Sequence, residues 1–434
     1  MARKVGVIGL GTAGTAASLF LARRGIECTI IEKTSQLACN NPVGAGIGIQ
    51  PIGLTVLKRL GLLDNVLSHG HRIDSLKSVT ETGRTVLDLS YADFRPELYG
   101  LGVHRTALFQ ALHDAAKASP NIDLVYGTEI TALDIAGEGG ARENVLHSID
   151  GSGTIQTHGP FDMLIVSDGR RSVARSTAAR SLEYHYPFGC LWTILPDTTG
   201  AFTSSSALTQ VLSSGSAHEM LGFLPSGRTP DMAEDEPSLV SLFWSLEMDT
   251  VDAVRARGLD AWKQRVLELE PRAADLLGHL TSMDALIPAA YSDTFMPSLF
   301  HGDSTVFLGD CAHATSPQLG QGANLALVDA WQLARSMAAC DDDPARAVRH
   351  YDDARRWRLR FYQLNSRVLT PVFQSRSRLV GRLRDALFGP LCYFPPTRWQ
   401  MLTTLVGAQA NGVPFMTIPE EEFLGYLSPG PLAD

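Results

Sequence analysis

The segment Gly309-Asp310-Cys311-Ala312-His313 is followed at short intervals by Pro317, Gly320-Gln321-Gly322, Asn324 and Asp329. The apolar run at 306–308 before it predicts a buried strand, and the residues after Asn324 predict an amphipathic helix. The predicted order is therefore a strand that ends at an acidic residue, then a Gly-rich turn, then a helix. Because the first turn of a helix carries unpaired N–H groups and partial positive charge, this segment predicts a site for an anionic or electron-rich ligand.

A second Gly-rich turn stands near the N-terminus. Residues 5–8 predict a buried strand, and Gly9-x-Gly11-x-x-Gly14 follows at once, before a segment of helical composition. A second predicted strand, at 28–31, ends at Glu32. The glycines permit a tight turn and close approach to a pyrophosphate, and the acid can accept hydrogen bonds from ribose hydroxyls. This βαβ unit predicts a dinucleotide site, although the glycine pattern alone does not separate FAD from NAD.

The later segment resembles the second flavin-binding motif of the single-component (group A) FAD-dependent aromatic hydroxylases. That motif reads Gly-Asp-Ala-Ala-His, a Pro four residues after the His, then Gly-x-Gly and Asn, and here only Cys311 visibly departs from it. Asp168-Gly169, after a predicted strand at 163–166, resembles the Asp-Gly motif that serves FAD and the nicotinamide donor in that family. Residues 44–51 resemble the loop that lies along the flavin ring in the salicylate-hydroxylase-like subgroup.

The resemblance implies FAD as the cofactor and NADH or NADPH as a transient electron donor. It also implies a role for Arg105, which opens a predicted helix and in the family reaches the flavin diphosphate. The cofactor-binding residues that follow from the resemblance are Gly9, Gly11, Ala13, Gly14, Glu32, Lys33, Gly46, Arg105, Ile130, Asp168, Gly169, Gly309, Asp310, Pro317, Gly320, Gly322, Ala323 and Asn324.

The order of the predicted elements indicates an α/β fold. The family's architecture is a Rossmann-like FAD-binding domain with an inserted antiparallel β-sheet that binds substrate, and C-terminal helices. We expect the FAD-binding domain to comprise 1–73, 98–180 and 287–365, the sheet insert 74–97 and 181–286, and the C-terminal helical region 366–434. We also predict turns at 137–140 and 150–153, one helix at 259–269 within the insert, and breaks in the C-terminal helices at Pro371 and Pro395-Pro396.

Composition narrows the class of protein. The 434 residues carry 37 Lys or Arg and 46 Asp or Glu, a formal net charge of −9, so nucleic acid is not an expected partner. The basic run at 355–360 is interpreted as a solvated helix face. Six cysteines without a Cys-x-x-Cys pair favour a reducing cytoplasm and indicate no metal site. Residues 365–434 are too interrupted by Arg and Pro for a membrane anchor, and we expect a monomer or homodimer.

Aromatic side chains of the insert are the expected lining of a substrate pocket, with His218, or alternatively His185, as a base that deprotonates a phenol. Such residues are more often packed aromatics and surface histidines. His313 lies inside the flavin motif, where holding the loop in shape is its expected role. The pocket candidates are Trp192, Phe223, Phe243 and Tyr291, with Trp244 beside them.

These features predict an FAD-dependent monooxygenase that uses NAD(P)H and dioxygen to hydroxylate an aromatic or heteroaromatic small molecule, in the family through a flavin hydroperoxide. Other flavoenzymes on the same scaffold stay open as alternatives: an epoxidase, a halogenase or a prenyl-chain reductase. The halogenase is disfavoured because Phe243-Trp244-Ser245-Leu246 does not match that class's Trp-x-Trp-x-Ile-Pro signature. A non-catalytic flavin-binding protein is the third alternative. The sequence names neither the substrate nor the preferred donor.

Overall fold

The computed structural model of the chain describes residues 2–40, 44–136, 143–149, 153–178 and 180–430. The turns expected at 137–140 and 150–153 therefore lie outside the described residues, except for Gly153. The strands in the described part are, in chain order, β1 Lys4–Ile8, β2 Glu27–Ile31, β3 Gly46–Ile49, β4 His71–Ile73, β5 Ser75–Thr80, β6 Thr85–Ser90, β7 Gly100–His104, β8 Ile122–Val125, β9 Ile130–Asp134, β10 Asn144–Ile149, β11 Ile155–Phe161, β12 Met163–Val166, β13 Leu182–Pro196, β14 Ala207–Leu212, β15 Met220–Gly227, β16 Leu239–Glu247, β17 Ile287–Phe295, β18 Phe300–His301 and β19 Thr305–Phe307.

The helices cover the sheets and form most of the C-terminal part. Among the residues described, no helix has both the length and the continuous apolar character that crossing a bilayer requires. In chain order the helices are α1 Thr12–Arg23, α2 Gln36–Asn40, α3 Pro51–Arg59, α4 Leu63–His69, α5 Arg105–Ala118, α6 Val173–Ala178, α7 Val251–Arg257, α8 Leu259–Leu269, α9 Ala274–Gly278, α10 Asp310–His313, α11 Gly322–Ala339, α12 Pro344–Phe373, α13 Arg378–Tyr393, α14 Pro395–Val406 and α15 Glu420–Leu424.

A six-stranded sheet forms the Rossmann-like part of the molecule, in the order β18-β19-β12-β1-β2-β8. All neighbours are parallel except the edge strand β18. β12 is fully buried and β1 nearly so, because helices cover both faces of a parallel sheet. Ile8 lies opposite Ile31 and Val166, and Val166 lies opposite Phe307, so the carboxyl ends of four strands stand side by side. Ligands of such sheets bind beyond these ends.

A seven-stranded sheet, in the order β17-β13-β16-β15-β14-β5-β6, is the expected insert, antiparallel except where β14 pairs with β5. Successive side chains of a strand point to opposite faces. On the outer face, residues such as Leu191, Phe223 and Leu242 pack with α8 in a separate core. The inner face is the one that turns towards the six-stranded sheet, since Leu224 and Phe243 pack with the main core.

The three-stranded sheet β3-β7-β4 joins the two large sheets. The backbone N–H of Gly46 on β3 donates to Ser241 Oγ of the inner face at 2.8 Å. Gly102 on β7 has no room for a side chain, because a Cβ there would lie 1.9 Å from Pro225 O. These contacts fix the Gly-rich loop at residues 44–51 against the seven-stranded sheet. A further small sheet, β11-β10-β9, lies beside the six-stranded sheet, where β11 contacts β1.

The structure corrects three expectations about the elements. Residues 287–295, assigned to the FAD-binding domain, form β17 and pair with β13, so the insert extends to Phe295. The insert holds α7 and α9 besides the expected α8. The C-terminal helix α12 is not broken at Pro371 but ends two residues later, at Phe373. A proline so close to a helix end interrupts only the last turn, which a helix of 30 residues tolerates.

Candidate functional site

The two Gly-rich turns, which are about 300 residues apart in the chain, meet at the carboxyl ends of the parallel strands. A Cβ built on Gly309 would lie 3.1 Å from the Cβ of Ala13, so the second turn contacts the first turn of α1 directly. Helix α11 begins at Gly322, in the same segment as Gly309. The first turns of α1 and α11 thus open onto one cleft, and both favour negative charge there.

The glycines of the first turn have two different functions. A Cβ on Gly14 would lie 2.2 Å from Ser167 Oγ, and one on Gly9 would lie 2.7 Å from Ser167 O, so these positions allow α1 to approach β12. A Cβ on Gly11 would meet no heavy atom closer than 3.9 Å. Gly11 therefore faces open space in the cleft. A pyrophosphate-binding turn needs a residue without a side chain at this point, so that the ligand can approach the backbone.

Glu32 stands beside this turn. Its Oε2 accepts the backbone N–H of Leu10 at 2.9 Å, and its Oε1 accepts that of Thr34 at 2.8 Å. Each carboxylate oxygen keeps a second lone pair for a ligand hydroxyl. Lys33 is exposed, and Ile130 is buried at the start of β9. The structure thus brings Glu32 to the cleft, while the contribution of Lys33 and Ile130 to cofactor binding stays a prediction.

Asp168 lies at the end of β12, between the two turns. Its Oδ1 is buried and has no hydrogen-bond partner among the described residues, and burial raises the pKa of this carboxyl group against an opposing hydrogen bond from Ser172. The next residue, Gly169, has φ +79°, and a Cβ there would meet nothing within 4 Å. Buried Arg175 donates to Cys311 O at 2.7 Å and so joins this motif to the second turn.

A buried ionic network holds the second turn from behind. Gly309 has φ +66°, which favours glycine, and its N–H donates to Asp329 Oδ2 at 2.9 Å. His313 Nε2 lies 2.5 Å from the same oxygen, and Arg355 Nε donates to Asp329 Oδ1 at 2.8 Å. Burial opposes ionisation of Asp329, yet the charges of His313 and Arg355 outweigh it and lower its pKa to about 2. His313 therefore holds the loop in shape, as expected.

Arg355 was not expected in this position. The interpretation of 355–360 as a solvated helix face is wrong for two of its arginines: Arg355 is 1% exposed and Arg358 is 5% exposed. One face of α12 packs on α11, so the arginines on that face need buried partners. Arg355 forms an ion pair with Asp329, and Arg358 donates a hydrogen bond to the carbonyl of Gly407. The signal that could have found Arg355 is Asp329 itself, a carboxylate inside an apolar helix that requires a cation.

The other residues of the second motif are of two kinds: some are exposed at the cleft, and Asn324 is buried in contacts that hold the fold. Asp310 is exposed at the end of the sheet, and a Cβ on Gly322 would have only Asp310 Oδ1 near it, at 3.9 Å. Pro317 and Gly320 are also exposed, and Ala323 is half-buried. Asn324 is buried: its Oδ1 accepts the N–H of Gln50 at 2.8 Å and its Nδ2 donates to Gly48 O at 3.1 Å. Asn324 thus ties the loop at 44–51 to α11.

That loop and Arg105 close the cleft on one side. A Cβ on Gly46 would lie 2.1 Å from Ser226 Oγ, so the residue must be glycine for the loop to reach the inner face. A Cβ on Gly44 would lie 2.8 Å from Cδ of Arg105, which is exposed at the start of α5. Within the described ranges the Arg105 guanidinium forms no ion pair, and it is free to meet a diphosphate.

The expected pocket residues lie on different faces of the seven-stranded sheet. Trp192 lies opposite Phe243 on the inner face, and both are half-buried. Tyr291 lies beside Cys190 of the same face. Phe223 is wrong as a pocket residue, because it points to the outer face and stacks on Phe202 with ring centroids 4.1 Å apart. Trp244, one residue from Phe243, is buried in the same outer core.

His218 does not sit in this row of side chains. Its side chain is 53% exposed, and its Nδ1 lies 3.1 Å from Glu247 Oε1, at the end of β16. A hydrogen bond from Arg376 lowers the pKa of Glu247, so the carboxylate is engaged from two sides. His185 is 78% exposed. The role of His218 as a base stays a prediction, whereas the sequence missed two amide groups on or near the inner face, Gln210 and Gln374.

The residues around the cleft fit FAD. Gly11, Gly169 and Gly322 face open space at the ends of three elements, and the buried Asp168 Oδ1 lacks a donor. An unsatisfied buried carboxylate oxygen is costly, and a hydroxyl of a bound ligand would satisfy it. Glu32 and Asp310 offer further acceptors for ribose and ribityl hydroxyls, and the two helix ends offer positive potential for the diphosphate and the flavin ring.

Comparison with known proteins agrees with this geometry. The profile of a family described as FAD binding domain matches residues 2–361. The chain is 27% identical to 3-amino-4-hydroxybenzoate 2-monooxygenase of Streptomyces cremeus, over 81% of this chain and 83% of that one. It is 25% identical to 3-hydroxybenzoate 6-hydroxylase of Klebsiella oxytoca, over 80% and 83%.

Solved structures share the fold. The tetrameric form of 2-methyl-3-hydroxypyridine-5-carboxylic acid oxygenase matches with a TM-score of 0.71 at 21% identity, over 92% of this chain and 96% of that chain. Klebsiella pneumoniae HpxO, complexed with FAD and uric acid, matches with a TM-score of 0.71 at 18% identity, over 93% and 96%. The chain therefore belongs to the FAD-binding monooxygenase family, the group A aromatic hydroxylases, which use FAD and NAD(P)H.

Proposed function

We propose that this enzyme inserts one atom of dioxygen into an aromatic or heteroaromatic ring held between the flavin ring and the inner face of the seven-stranded sheet. The observation that carries the proposal is the meeting of Gly309 with Ala13, which gives two helix N-termini one cleft. When bound, FAD accepts a hydride from NAD(P)H and activates dioxygen. The protein's own residues bind, orient and shield the reacting groups.

The side chains divide these tasks along the cleft. The first turn of α1, where Gly11 carries no side chain, would hold the diphosphate, and Glu32 and Asp310 would accept hydrogen bonds from sugar hydroxyls. The N-terminal end of α11 would hold the flavin ring, where its partial positive charge would stabilise negative charge on the ring. The loop at 44–51, which Asn324 and Ser241 hold in place, would lie along the ring. This placement supports membership of the salicylate-hydroxylase-like subgroup.

Three measurements on the purified protein test the function. Flavin absorbance with one FAD per chain is expected, together with NADH or NADPH oxidation that an aromatic substrate accelerates. Product analysis under ¹⁸O₂ should then show one labelled oxygen on an aromatic carbon. A labelled epoxide, or reduced product without label, would assign the chain to an epoxidase or a prenyl-chain reductase instead. Well-folded protein that takes up no FAD would contradict every one of these activities.

Helix α13 suggests how the enzyme assembles. Leu379, Leu383, Leu387 and Leu391 recur at every fourth residue and are between 36% and 67% exposed, while Cys392 on the opposite face contacts β6. With three exposed aromatic residues nearby, this ridge presents on the order of 700 Å², close to what each partner of a standard interface buries. The aromatic neighbours are Tyr393, Phe394 and Trp399.

We propose that a second copy of the chain covers this leucine ridge. In a two-fold arrangement the same ridge serves both copies, since such interfaces are self-complementary. An antiparallel pairing of α13 helices would place the exposed Arg378 of each copy near the C-terminal carbonyls of the other helix, where a cation is favoured. We propose the cytoplasm as the compartment, because all six cysteines are free and buried.

A further inference from the structure

One row of side chains crosses the inner face of the seven-stranded sheet in front of the cleft. Trp192 lies opposite Phe243, Phe243 opposite Gly222, Gly222 opposite Gln210, and Gln210 opposite Ser78. Cross-strand partners point to the same face. The heavy atoms nearest to a Cβ built on Gly222 belong to Gln210 and Phe243, and they are 3.9 Å away. The row therefore has a gap, with aromatic rings on one side and an amide on the other.

The side chains in the two rows of the sheet that flank this gap are uncharged. Towards α12 the neighbouring row is Cys190, Ser245, Met220 and Leu212, and towards β3 it is Ile194, Ser241 and Leu224. Burial raises the pKa of Cys190 to about 11, so its thiol is neutral at physiological pH. Beyond the row on the α12 side, the carboxylate of Glu247 is already paired, because it accepts hydrogen bonds from Arg376.

Gln210 is oriented to serve a ligand in the gap. Ser78 Oγ donates to Gln210 Oε1 at 2.6 Å, which fixes the amide and leaves its NH₂ group as the available donor. In the part of the chain that the structure describes, that NH₂ group has no protein acceptor. A second amide pair stands at the α12 end, where Gln374 donates to Ser245 Oγ at 2.7 Å and Gln318 donates to Gln374 Oε1 at 3.0 Å.

We propose, building on the function above, that the substrate of this enzyme is an uncharged aromatic molecule whose hydroxyl or carbonyl oxygen accepts a hydrogen bond from Gln210. The ring stacks beside Phe243 and Trp192, in the space that Gly222 leaves open. A carboxylate enclosed here would lose its hydration without gaining a cation, which strongly disfavours it. The two hydroxybenzoate-named relatives have anionic substrates, so this pocket selects a different class.

Matched pairs of ligands test the proposal on the FAD-loaded wild-type enzyme. The probes are 3-hydroxybenzamide against 3-hydroxybenzoate, and 2-aminobenzamide against 2-aminobenzoate, with binding followed by the change in flavin absorbance. We expect the amide of each pair to bind at least about tenfold more tightly. Equal or tighter binding of either acid, or no binding of both amides, overturns the proposal.

Two substitutions of Gln210 test whether this residue determines the preference for the amides. Gln210→Lys places a cation at the gap, and we expect it to reverse the preference so that the acids bind at least about tenfold more tightly than in the wild type. Gln210→Leu removes the donor at similar volume, and it should weaken the amides about five- to tenfold without strengthening the acids. FAD content should be unchanged in both, because Gln210 contacts none of the FAD motifs, whereas the melting temperature should fall modestly in both, because the buried Ser78 hydroxyl loses its acceptor.

The outcomes separate this inference from the proposed function. A Gln210→Lys variant that binds FAD but leaves acid affinity unchanged overturns the placement of the substrate at Gly222, while the enzyme remains a monooxygenase. Acid-selective binding by the FAD-loaded wild type overturns the substrate class alone. A wild-type protein that takes up no FAD overturns the proposed function and the inference together.

Discussion

Replacing Arg355 by methionine removes the cation from the network behind the second Gly-rich turn. Arg355 Nη2 lies 2.7 Å from Asp329 Oδ1, and their side chains are 2% and 0% exposed. Methionine fills much of the same space but leaves the carboxylate oxygen without its donors. Breaking a buried ion pair by removing one partner costs about 3–5 kcal/mol, a large part of the roughly 5–15 kcal/mol that stabilises a domain.

The expected result is a lower midpoint of urea unfolding together with weaker FAD binding. FAD binding suffers because the other oxygen of Asp329 accepts the N–H of Gly309, in the turn that faces the cofactor. Tryptophan fluorescence reports unfolding, and flavin fluorescence on titration reports the dissociation constant for FAD. Since a protein of this size need not unfold in two states, the comparison rests on midpoints measured under identical conditions.

Arg349→Met is the matched control on the same helix. Arg349 pairs with Asp303 at 2.5 Å, but the two side chains are 52% and 69% exposed. Exposed pairs of this kind contribute at most about 1 kcal/mol, so this variant should unfold close to the wild-type midpoint and bind FAD normally. If Arg355→Met shifts the midpoint no more than Arg349→Met does, the buried network does not hold the turn and the reasoning is refuted.

Four further results are expected. Gly14→Val should lower the melting temperature of the FAD-free protein, because its Cβ would lie 2.2 Å from Ser167 Oγ; an unchanged melting curve would contradict the packing of α1 on β12. Cys311, whose pKa burial raises well above 9.0, should not react with a thiol reagent in the native protein but should react in urea, as mass spectrometry would show. Leu387→Glu should convert a dimer to a monomer in light scattering, and a monomeric wild type would disprove the ridge interface. Asp329→Asn should destabilise the protein at pH 7, and the destabilisation should shrink as the pH falls from about 4 to 2. The reason is that the pKa of Asp329 is about 2 in the folded protein against an ordinary value of 3.8, so its ionised form contributes stability only above that window. Equal destabilisation at pH 7 and pH 2 would count against an ionised Asp329.

Local sequence predicted the bounds of several elements closely. Strand β12 covers the expected residues 163–166, and α8 covers the expected 259–269. In these segments a strongly apolar run or a helical period is bounded by glycine, proline or a charged residue, so local preference and tertiary packing agree. The meeting of the two turns also follows from the sequence, because parallel strands in a Rossmann-like sheet bring their carboxyl ends together.

The choice of sheet face could not be predicted in the same way. Phe223 and Phe243 both lie in alternating strands, and the alternation shows only that neighbouring residues point in opposite directions. Which set turns inward depends on helices α7 to α9, which cover the outer face and draw Phe223 into a second core. One residue of register therefore decides whether an aromatic ring packs in that core or lines the cleft.

Contacts between residues far apart in the chain could not be predicted from the local sequence either. Arg355 belongs to a run of charged residues that is typical of a solvated helix, and its burial depends on a carboxylate 26 residues earlier in the chain. Likewise, residues 287–295 join the insert only because β13 offers them a free edge. In both cases a feature of another element overrides the local pattern, which is why the cofactor motifs were found and their supports were not.

The most direct test of the account is the affinity of the FAD-free protein for FAD when either end of the cleft is obstructed. Gly11→Val and Gly322→Val each place a side chain in the cleft. At both positions the nearest heavy atom lies 3.9 Å from the new Cβ, so both variants should retain the wild-type melting temperature without FAD. If one FAD molecule spans both turns, each variant alone should raise the dissociation constant by more than about tenfold, or about 1.4 kcal/mol. An unchanged dissociation constant in either folded variant would show that the two turns do not share the cofactor.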